Sequence, residues 1–311
     1  LLPYLVRRLL ENGANSSFVH KIYDESKPAE EIMGDPWSFF ESRALEGHPL
    51  IPLPTNLYGN IRKNAQGYDL NDRLVVQQLH EDIEKNKHVY GSLQEATLQD
   101  LEVALKVASS HWESWDHKPA EKRAKILNRA ADLMEENRGL FLGLLIQEGK
   151  KTLPDAVSEL REAVDFCRYY AAESLNHFSS QPLQGPTGEK NELSLRGRGV
   201  FACMSPWNFP MAIFTGQVVA ALAAGNAVIA KPATLTPLIG SHVVRIRWGA
   251  GVPQSVLHFL PGRASVIGTP LLSDKRISGV VFTGSTEAAQ QIQQTLIERG
   301  VPIVPFIAET G

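Results

Sequence analysis

The sequence is short of most features that would fix a function by themselves. Of its 311 residues only two are cysteine, Cys167 and Cys203. That is too few for a disulfide framework in a chain of this size, and it points to a reducing, cytoplasmic setting. No apolar run approaches the about 18 residues needed to span a bilayer. The opening "LLPYLVRRLL" is broken by Arg7 and Arg8 and is followed by no small-residue cleavage site, which argues against a secretory signal. Charge of one sign is also lacking. The 31 Lys and Arg stand against 34 Asp and Glu, a net charge of −3. That balance does not point to nucleic acid or an anionic membrane as a main partner. The nine histidines form no H-x-H or H-x-x-x-H pair and lie near no cysteine cluster, so no metal site is expected. A G-x-G-x-x-G fingerprint is missing, so an ordinary dinucleotide dehydrogenase is not indicated. No serine lies in a G-x-S-x-G elbow, and repeats and low-complexity tracts are absent.

What is present is an ordinary globular composition, 43% apolar and 21% charged. The pattern changes along the chain. Residues 1 to 13 read as one helix, with Pro3 in the first turn and Gly13 past the end. Tyr4, Arg7, Arg8 and Glu11 share one face of it. Residues 24 to 97 are weakly organised and read as a connector; "HPLIPLPTNLYGNIRKNAQGYDLND" within them is rich in Pro, Asn and Gly. From 98 to about 180 the period is helical: Ile126, Leu127, Ala130, Leu133 and Met134 recur at spacings of three and four, as do Val157, Leu160, Val164, Cys167 and Ala171. "QGPTGEKN" breaks that pattern, and Leu193 and Leu195 alternate after it as in an exposed edge strand.

From 199 on, short apolar runs alternate with helical stretches that start near Met211, Thr236, Ser265 and Ser285. The runs are "GVFACMS", "AVIAKPA", "SVLHFLPG", "GVVFTG" and "IVPFIAETG". Continuous apolar strands imply burial on both faces, hence an α/β fold with a Rossmann-like, doubly wound parallel sheet. Ligands bind such sheets at the carboxyl ends of the strands. The unusual polar residues fall there: Ser205 to Asn208, Lys231, Gly262 with Arg263, Gly284 to Glu287, and Glu309.

Each of these residues has a plain structural reading beside a chemical one. Gly284 and Ser285 stand at a strand-to-helix turn, where a helix N-terminus favours a phosphate and where Ser is also an ordinary N-cap. Lys231, held by Pro232, suits a cofactor hydroxyl or phosphate, or simply reaches solvent. Asn208, framed by Pro206 and Pro210, is either a turn residue or a neutral donor aimed at a developing oxyanion. Glu309 ends an apolar strand. A carboxylate desolvated there has a raised pKa and suits a general base acting on water; the other reading is a capping group. Cys167, on an apolar helix face, and Cys203, inside a strand, read as buried and inert.

Taken in order, "SPWNFP", "GNAVIAKPA", "GVP…LPG", "FTGST" and "AETG" resemble the aldehyde dehydrogenase superfamily over residues 98 to 311. The resemblance implies an NAD-binding domain. Asn208 would hold the substrate carbonyl oxygen and Lys231 the cofactor ribose. Gly284 and Ser285 would form the pyrophosphate loop, Pro206 and Trp207 would line the cofactor cleft beside Ser205 and Gly262, and Glu309 would be the hydrolytic base. "LLPYLVRRLLENGANSSFV" and "IPLPTNLYGNIRKN" are similar to the last proline dehydrogenase barrel helix and the connector of the bifunctional proline utilization A family. In that family the arginine pair clamps the carboxylate of proline beside FAD. This gives residues 1 to 23 as the barrel's end, 24 to 97 as connector and 98 to 311 as the NAD-binding part.

The reaction implied is oxidation of glutamate semialdehyde, the open form of 1-pyrroline-5-carboxylate, to glutamate with NAD. Upstream, FAD would oxidise proline and pass electrons to the quinone pool, with peripheral inner-membrane association. "PLQGPTGEKNELSLRGRG" resembles the family's projecting hairpin and implies a homo-oligomer; DNA binding, known in some members, is not addressed by these residues. The family's nucleophilic cysteine falls after Gly311, and both ends are expected to continue in a longer protein. At Thr234 the family commonly has Glu, which repels a 2′-phosphate, so mixed NAD and NADP tolerance is expected. A monofunctional aldehyde dehydrogenase with an unrelated extension and a non-catalytic nucleotide-binding scaffold are the alternatives.

Overall fold

The computed structural model describes residues 2, 3, 5, 6, 10, 24, 26–29, 50–87 and 91–311. It divides into two compact units, Leu1–Leu53 and Pro54–Gly311. In the first unit, Leu2, Pro3, Leu5, Val6 and Leu10 are helical, in line with the helix expected over 1 to 13. Tyr4, Arg7, Arg8 and Glu11, the expected carboxylate clamp, lie outside the described residues.

The second unit opens with a short 3-10 turn and then a helix, α1 (Arg73–Asn86). Within the stretch read as connector, residues 73 to 86 are thus helical. Asp72 caps α1 by accepting from the Leu74 N–H at 2.8 Å. Leu79 and Ile83, one turn apart, bury its inner face. A helical layer follows: α2 (Leu98–Asp116), α3 (Ala120–Glu136), α4 (Arg138–Gln147) and α5 (Leu153–Phe178). Thr97 and Asp100 form a reciprocal capping box at the start of α2, with N–H donors at 2.8 and 3.2 Å. The periodic residues of α3 and α5 fill the core, and Cys167 is fully buried among them.

A small antiparallel hairpin, β1 (Gln181–Leu183) with β2 (Asn191–Leu193), carries the exposed alternation expected at Leu193. The parallel sheet follows: β3 (Val200–Met204), α6 (Ala212–Ala223), β4 (Ala227–Lys231), α7 (Pro237–Ala250) and β5 (Leu257–Phe259). A π-turn (Ala264–Gly268) and α8 (Thr269–Ser273) lead to β6 (Ile277–Gly284), α9 (Thr286–Glu298) and β7 (Phe306–Thr310). The strand order is β5-β4-β3-β6-β7, every pair parallel. The chain winds outward from β3 through β4 to β5, then returns to the other side of β3 for β6 and β7. That reversal is the doubly wound switch point, and it lies between β3 and β6. β3 and β4 are buried along their whole length, as continuous apolar runs require.

The entrances to β3 and β4 share one junction. α6 ends in a Schellman turn at Gly225 (φ +89°), with Gly225 N–H to Leu222 O at 3.0 Å and Asn226 N–H to Ala221 O at 3.1 Å. Asn226 Oδ1 accepts from the Arg198 and Gly199 N–H groups at 2.6 and 3.3 Å, which holds the approach to β3. Trp115 Nε1–H donates to Leu222 O at 2.8 Å and Arg123 Nε–H to Ala223 O at 3.1 Å. Elsewhere, Arg247 in the basic "RIRWGAGVP" segment is fully buried, donating to Val243 O and to Cys167 Sγ at 2.6 and 3.7 Å. Burial pushes its pKa down, and nothing in the structure explains an arginine there.

The junction gives a stability prediction. A Cβ at Gly225 would stand 2.6 Å from Asp116 Oδ1 in a left-handed backbone. Gly225→Ala is expected to destabilise the unit by about 2 kcal/mol or more, since the left-handed conformation alone costs an L-residue roughly 1–2 kcal/mol. Thermal unfolding followed by circular dichroism checks it, and an unchanged midpoint would contradict this account.

Candidate functional site

The register of β3 sets the site. Met204 pairs with Lys231 on one side and with Phe282 on the other, so the residues that follow all leave the sheet at one edge. The Ser205 N–H still reaches Lys231 O, at 3.4 Å. Ser205 is buried, and its hydroxyl is without a hydrogen-bond partner. Behind it, Gln217 of α6 bridges the ends of β3 and β6, donating to Met204 O at 3.2 Å and Thr283 Oγ1 at 3.0 Å. The buried Gln217 Oε1 is left without a partner.

Lys231 is only 5% exposed. Its ammonium donates to Pro232 O at 3.2 Å, its single hydrogen bond among the described residues. Burial pushes its pKa down, and the charge of Glu95 acts in the opposite direction. A Cβ on Gly268 would lie 3.6 Å from Lys231 Cε and 3.4 Å from Met204 Cε, so the π-turn packs closely on both. At Gly284 a Cβ would meet the Phe282 ring at 2.5 Å, so the turn out of β6 has no room for a side chain there. Ser285 Oγ accepts from the Ala288 N–H at 3.2 Å and caps α9. The plain reading of Ser285 therefore holds, and its helix N-terminus faces the same edge.

Asn208 is exposed in the turn between β3 and α6. Its Oδ1 accepts from the Phe209 N–H at 3.1 Å. Because that partner is a donor, the accepting atom is assigned as the oxygen, which leaves the NH₂ available to donate. Trp207 beside it is 61% exposed. The turn is anchored from outside. Met211 supplies no side-chain cap for α6. Instead Glu159 of α5, 1% exposed, accepts from the Met211 and Ala212 N–H groups at 2.8 and 3.2 Å. Its second oxygen lies 2.7 Å from Lys151 Nζ. That approach is too bent for a directed hydrogen bond, so charge holds the pair. Lys151 Nζ also sits 3.9 Å from the Phe209 ring centroid. α7 is capped in the same way, by Glu148 accepting from Leu238 and Ile239 at 2.9 and 2.8 Å. Burial raises the Glu148 carboxyl and the two N–H bonds counter it.

Glu309 requires a correction. It was expected to be desolvated at the end of an apolar strand. It is exposed, because β7 is the edge strand and its outer face is uncovered among the described residues. It pairs in register with Thr283. The carboxyl pushed up here is Glu162 of α5, first by burial, then by the charges of Glu159 and, more weakly, Glu309, with Lys151 opposing. Sequence reasoning missed Lys151, Glu159, Glu162 and Gln217. The available signal was an apolar residue, Met211, at the N-cap of a helix that had to find acceptors elsewhere.

One edge of the doubly wound sheet thus carries a buried lysine, an unpartnered buried hydroxyl, two close-packed glycine turns and an exposed amide. The aldehyde dehydrogenase family profile matches residues 79–311. The chain belongs to the aldehyde dehydrogenase family. It is 43% identical, over its whole length, to the bifunctional protein PutA of Escherichia coli strain K12, of which it covers 26%. A crystal structure of bifunctional proline utilization A superposes with a TM-score of 0.90 at 47% identity, covering 100% of this chain and 32% of that one. The 1-pyrroline-5-carboxylate dehydrogenase from Thermus, crystallised with bound NAD, gives a TM-score of 0.75 at 26% identity, over 85% of this chain and 56% of that one. The chain therefore spans about a quarter of the length of the curated bifunctional relatives it matches.

The anchored turn gives the second prediction. Glu159→Ala removes two N–H acceptors and leaves Lys151, 12% exposed at its side chain, as an unpaired cation. A loss of about 3–5 kcal/mol is expected. In Lys151→Met/Glu159→Gln the stranded charge is gone and an acceptor remains, so part of that loss should return. Urea unfolding of the two variants checks this; equal losses would refute the charge pairing.

Proposed function

We propose that this chain forms the cofactor-binding half of an NAD-dependent L-glutamate γ-semialdehyde (1-pyrroline-5-carboxylate) dehydrogenase, in a whole protein that converts proline to glutamate. The observation that carries the reading is Lys231, a buried cation held by one carbonyl, next to the unpartnered Ser205 hydroxyl on the adjoining strand end. Both are polar atoms that a ligand rich in hydroxyl and phosphate groups would satisfy. The close turns at Gly268 and Gly284 suit a cofactor whose backbone lies near the chain. Among the relatives, the Thermus dehydrogenase carries NAD.

NAD supplies the hydride acceptor. The chain's own residues would hold and orient the cofactor and the aldehyde. Lys231 donates to a ribose hydroxyl, and the first turn of α9 after Gly284 and Ser285 offers backbone donors to the pyrophosphate. Pro206 and Trp207 border the cleft, with Ser205 and Gly262 beside them. The Asn208 amide donates to the aldehyde oxygen as charge develops on it. Glu309 removes a proton from the attacking water. Exposure gives it access to water. Neither cysteine suits the thiol nucleophile that the reaction requires. Both are fully buried, and burial pushes both thiols up.

The proline-oxidising half, with FAD and transfer to the quinone pool, belongs to the whole protein, and Tyr4, Arg7, Arg8 and Glu11 are its proposed contribution from this chain. The hairpin β1–β2 is the proposed oligomer contact. The setting is cytoplasmic, with peripheral contact to the inner membrane through quinone. Among the described residues no helix is long and apolar enough to cross a membrane.

Two measurements test this. Calorimetric titration of the chain with NAD should show binding that Lys231→Met weakens at least about tenfold, or about 1.4 kcal/mol. A chain that binds no dinucleotide would overturn the cofactor-binding reading. In the whole protein, Asn208→Ala should lower the rate of NAD reduction by glutamate semialdehyde about 10²–10³-fold, as loss of one oxyanion donor does elsewhere. Dinucleotide affinity should stay unchanged.

A further inference from the structure

Position 234 carries no charge. The Thr234 hydroxyl donates to Gly262 O at 3.4 Å, so the loop after β4 is tied to the loop after β5 by a neutral group. Two cations border that place, Lys231 and Arg263. Left alone, they would favour a phosphate over a hydroxyl on a bound ribose.

A carboxylate arrives from elsewhere in the chain. The extended segment before α2 is fastened to the same loop by the Ala96 N–H, which donates to Pro261 O at 2.7 Å. A Cβ on Gly262 would have Ala96 O within 3.9 Å, so the two backbones run side by side. The Thr97–Asp100 capping box holds the next residues rigid. Glu95, the residue before this anchor, places Oε2 3.8 Å from Arg263 Nε. Its side chain is half-exposed, open to a ligand on that edge. Its charge also acts on Lys231. Glu95 is thus the negative group shared by both cations.

We propose that Glu95 sets the choice between the two nicotinamide dinucleotides, standing in for the carboxylate that Thr234 does not provide and turning the site against a 2′-phosphate. The inference rests on the reading that this edge binds the adenosine ribose of such a cofactor. With Glu95 in place, Arg263 has a counter-charge 3.8 Å away and a dianionic 2′-phosphate meets a carboxylate. A 2′-hydroxyl can donate to that carboxylate. Without it, Lys231, Arg263 and the Thr234 hydroxyl make a cationic, donor-lined place that suits NADP.

The test is equilibrium binding, which needs no turnover. NAD and NADP are titrated calorimetrically into the chain, into Glu95→Gln and into Glu95→Gln/Thr234→Glu, with circular dichroism to confirm that each is folded. The parent should prefer NAD. Glu95→Gln should lower the ratio of Kd for NADP to Kd for NAD about tenfold, and the added Thr234→Glu should restore it. A parent that prefers NADP, a fall of less than threefold, or a fall that Thr234→Glu leaves in place overturns the proposal while leaving the dinucleotide reading intact. If neither dinucleotide binds the parent, both fall together.

Discussion

Met204 stands opposite Lys231 on one side and Phe282 on the other, and the site depends on that register. In a parallel sheet every strand exits at the same end, so five strand-end turns converge without any of them being designed to meet. A slip of one residue would turn the Lys231 side chain to the opposite face of the sheet. The register is secured at the other end by the Gly225–Asn226 junction, where one amide oxygen holds the approach to β3 while its own backbone starts β4. The geometry of the site is therefore set about five residues upstream of it, at the opposite edge of the sheet.

A second constraint is the fate of helix N-termini at that end. α6 and α7 start with no side-chain cap of their own, and each would leave orphaned N–H groups in a buried place. Glu159 and Glu148, from the helical layer, accept from them. The same contacts tie the layer to the sheet. They cost the burial of two carboxylates, offset by aligned N–H dipoles and, for Glu159, by Lys151. This explains why the turn carrying Asn208 keeps its shape although Trp207, Asn208 and Phe209 are exposed. Its far end is fixed to a buried charge that belongs to another element.

Much of this was legible in the sequence, and the limits are specific. The strands could be read because apolar runs without alternation admit only burial on both faces, and β3 and β4 show that burial. The helix starts at Thr236 and Ser285 fell within a residue of place because Pro237 and the Ser285 cap are local signals. The helix α1 was missed because its own signal, Asp72 followed by Leu79 and Ile83, directly follows a stretch rich in Pro, Asn and Gly and was read together with it. Glu309 was misjudged for another reason. An apolar run implies burial, but strand order decides whether the strand has a neighbour on both sides, and strand order is not written locally. The trans caps were out of reach altogether. Glu159 is 52 residues from Met211 in sequence, and on its own helix it reads as one more carboxylate.

The buried and exposed polar groups divide along chemical lines. Gln217 and Glu159 are buried and fix positions; Asn208, Trp207 and Glu309 are exposed. A donor meant for a charge that forms only during reaction must stand unpaired until then. In a dry interior that would cost roughly 1–3 kcal/mol per group, whereas at the surface water fills the role between turnovers. Lys231 and the Ser205 hydroxyl break the division, being buried and under-satisfied at once. Desolvation makes each a stronger partner for a ligand that excludes water from the cleft, because its hydrogen bonds are then not traded against bulk solvent. The exposed groups are thereby suited to a passing ligand and the buried pair to one held more tightly, which is the asymmetry that the proposed dehydrogenase site would need.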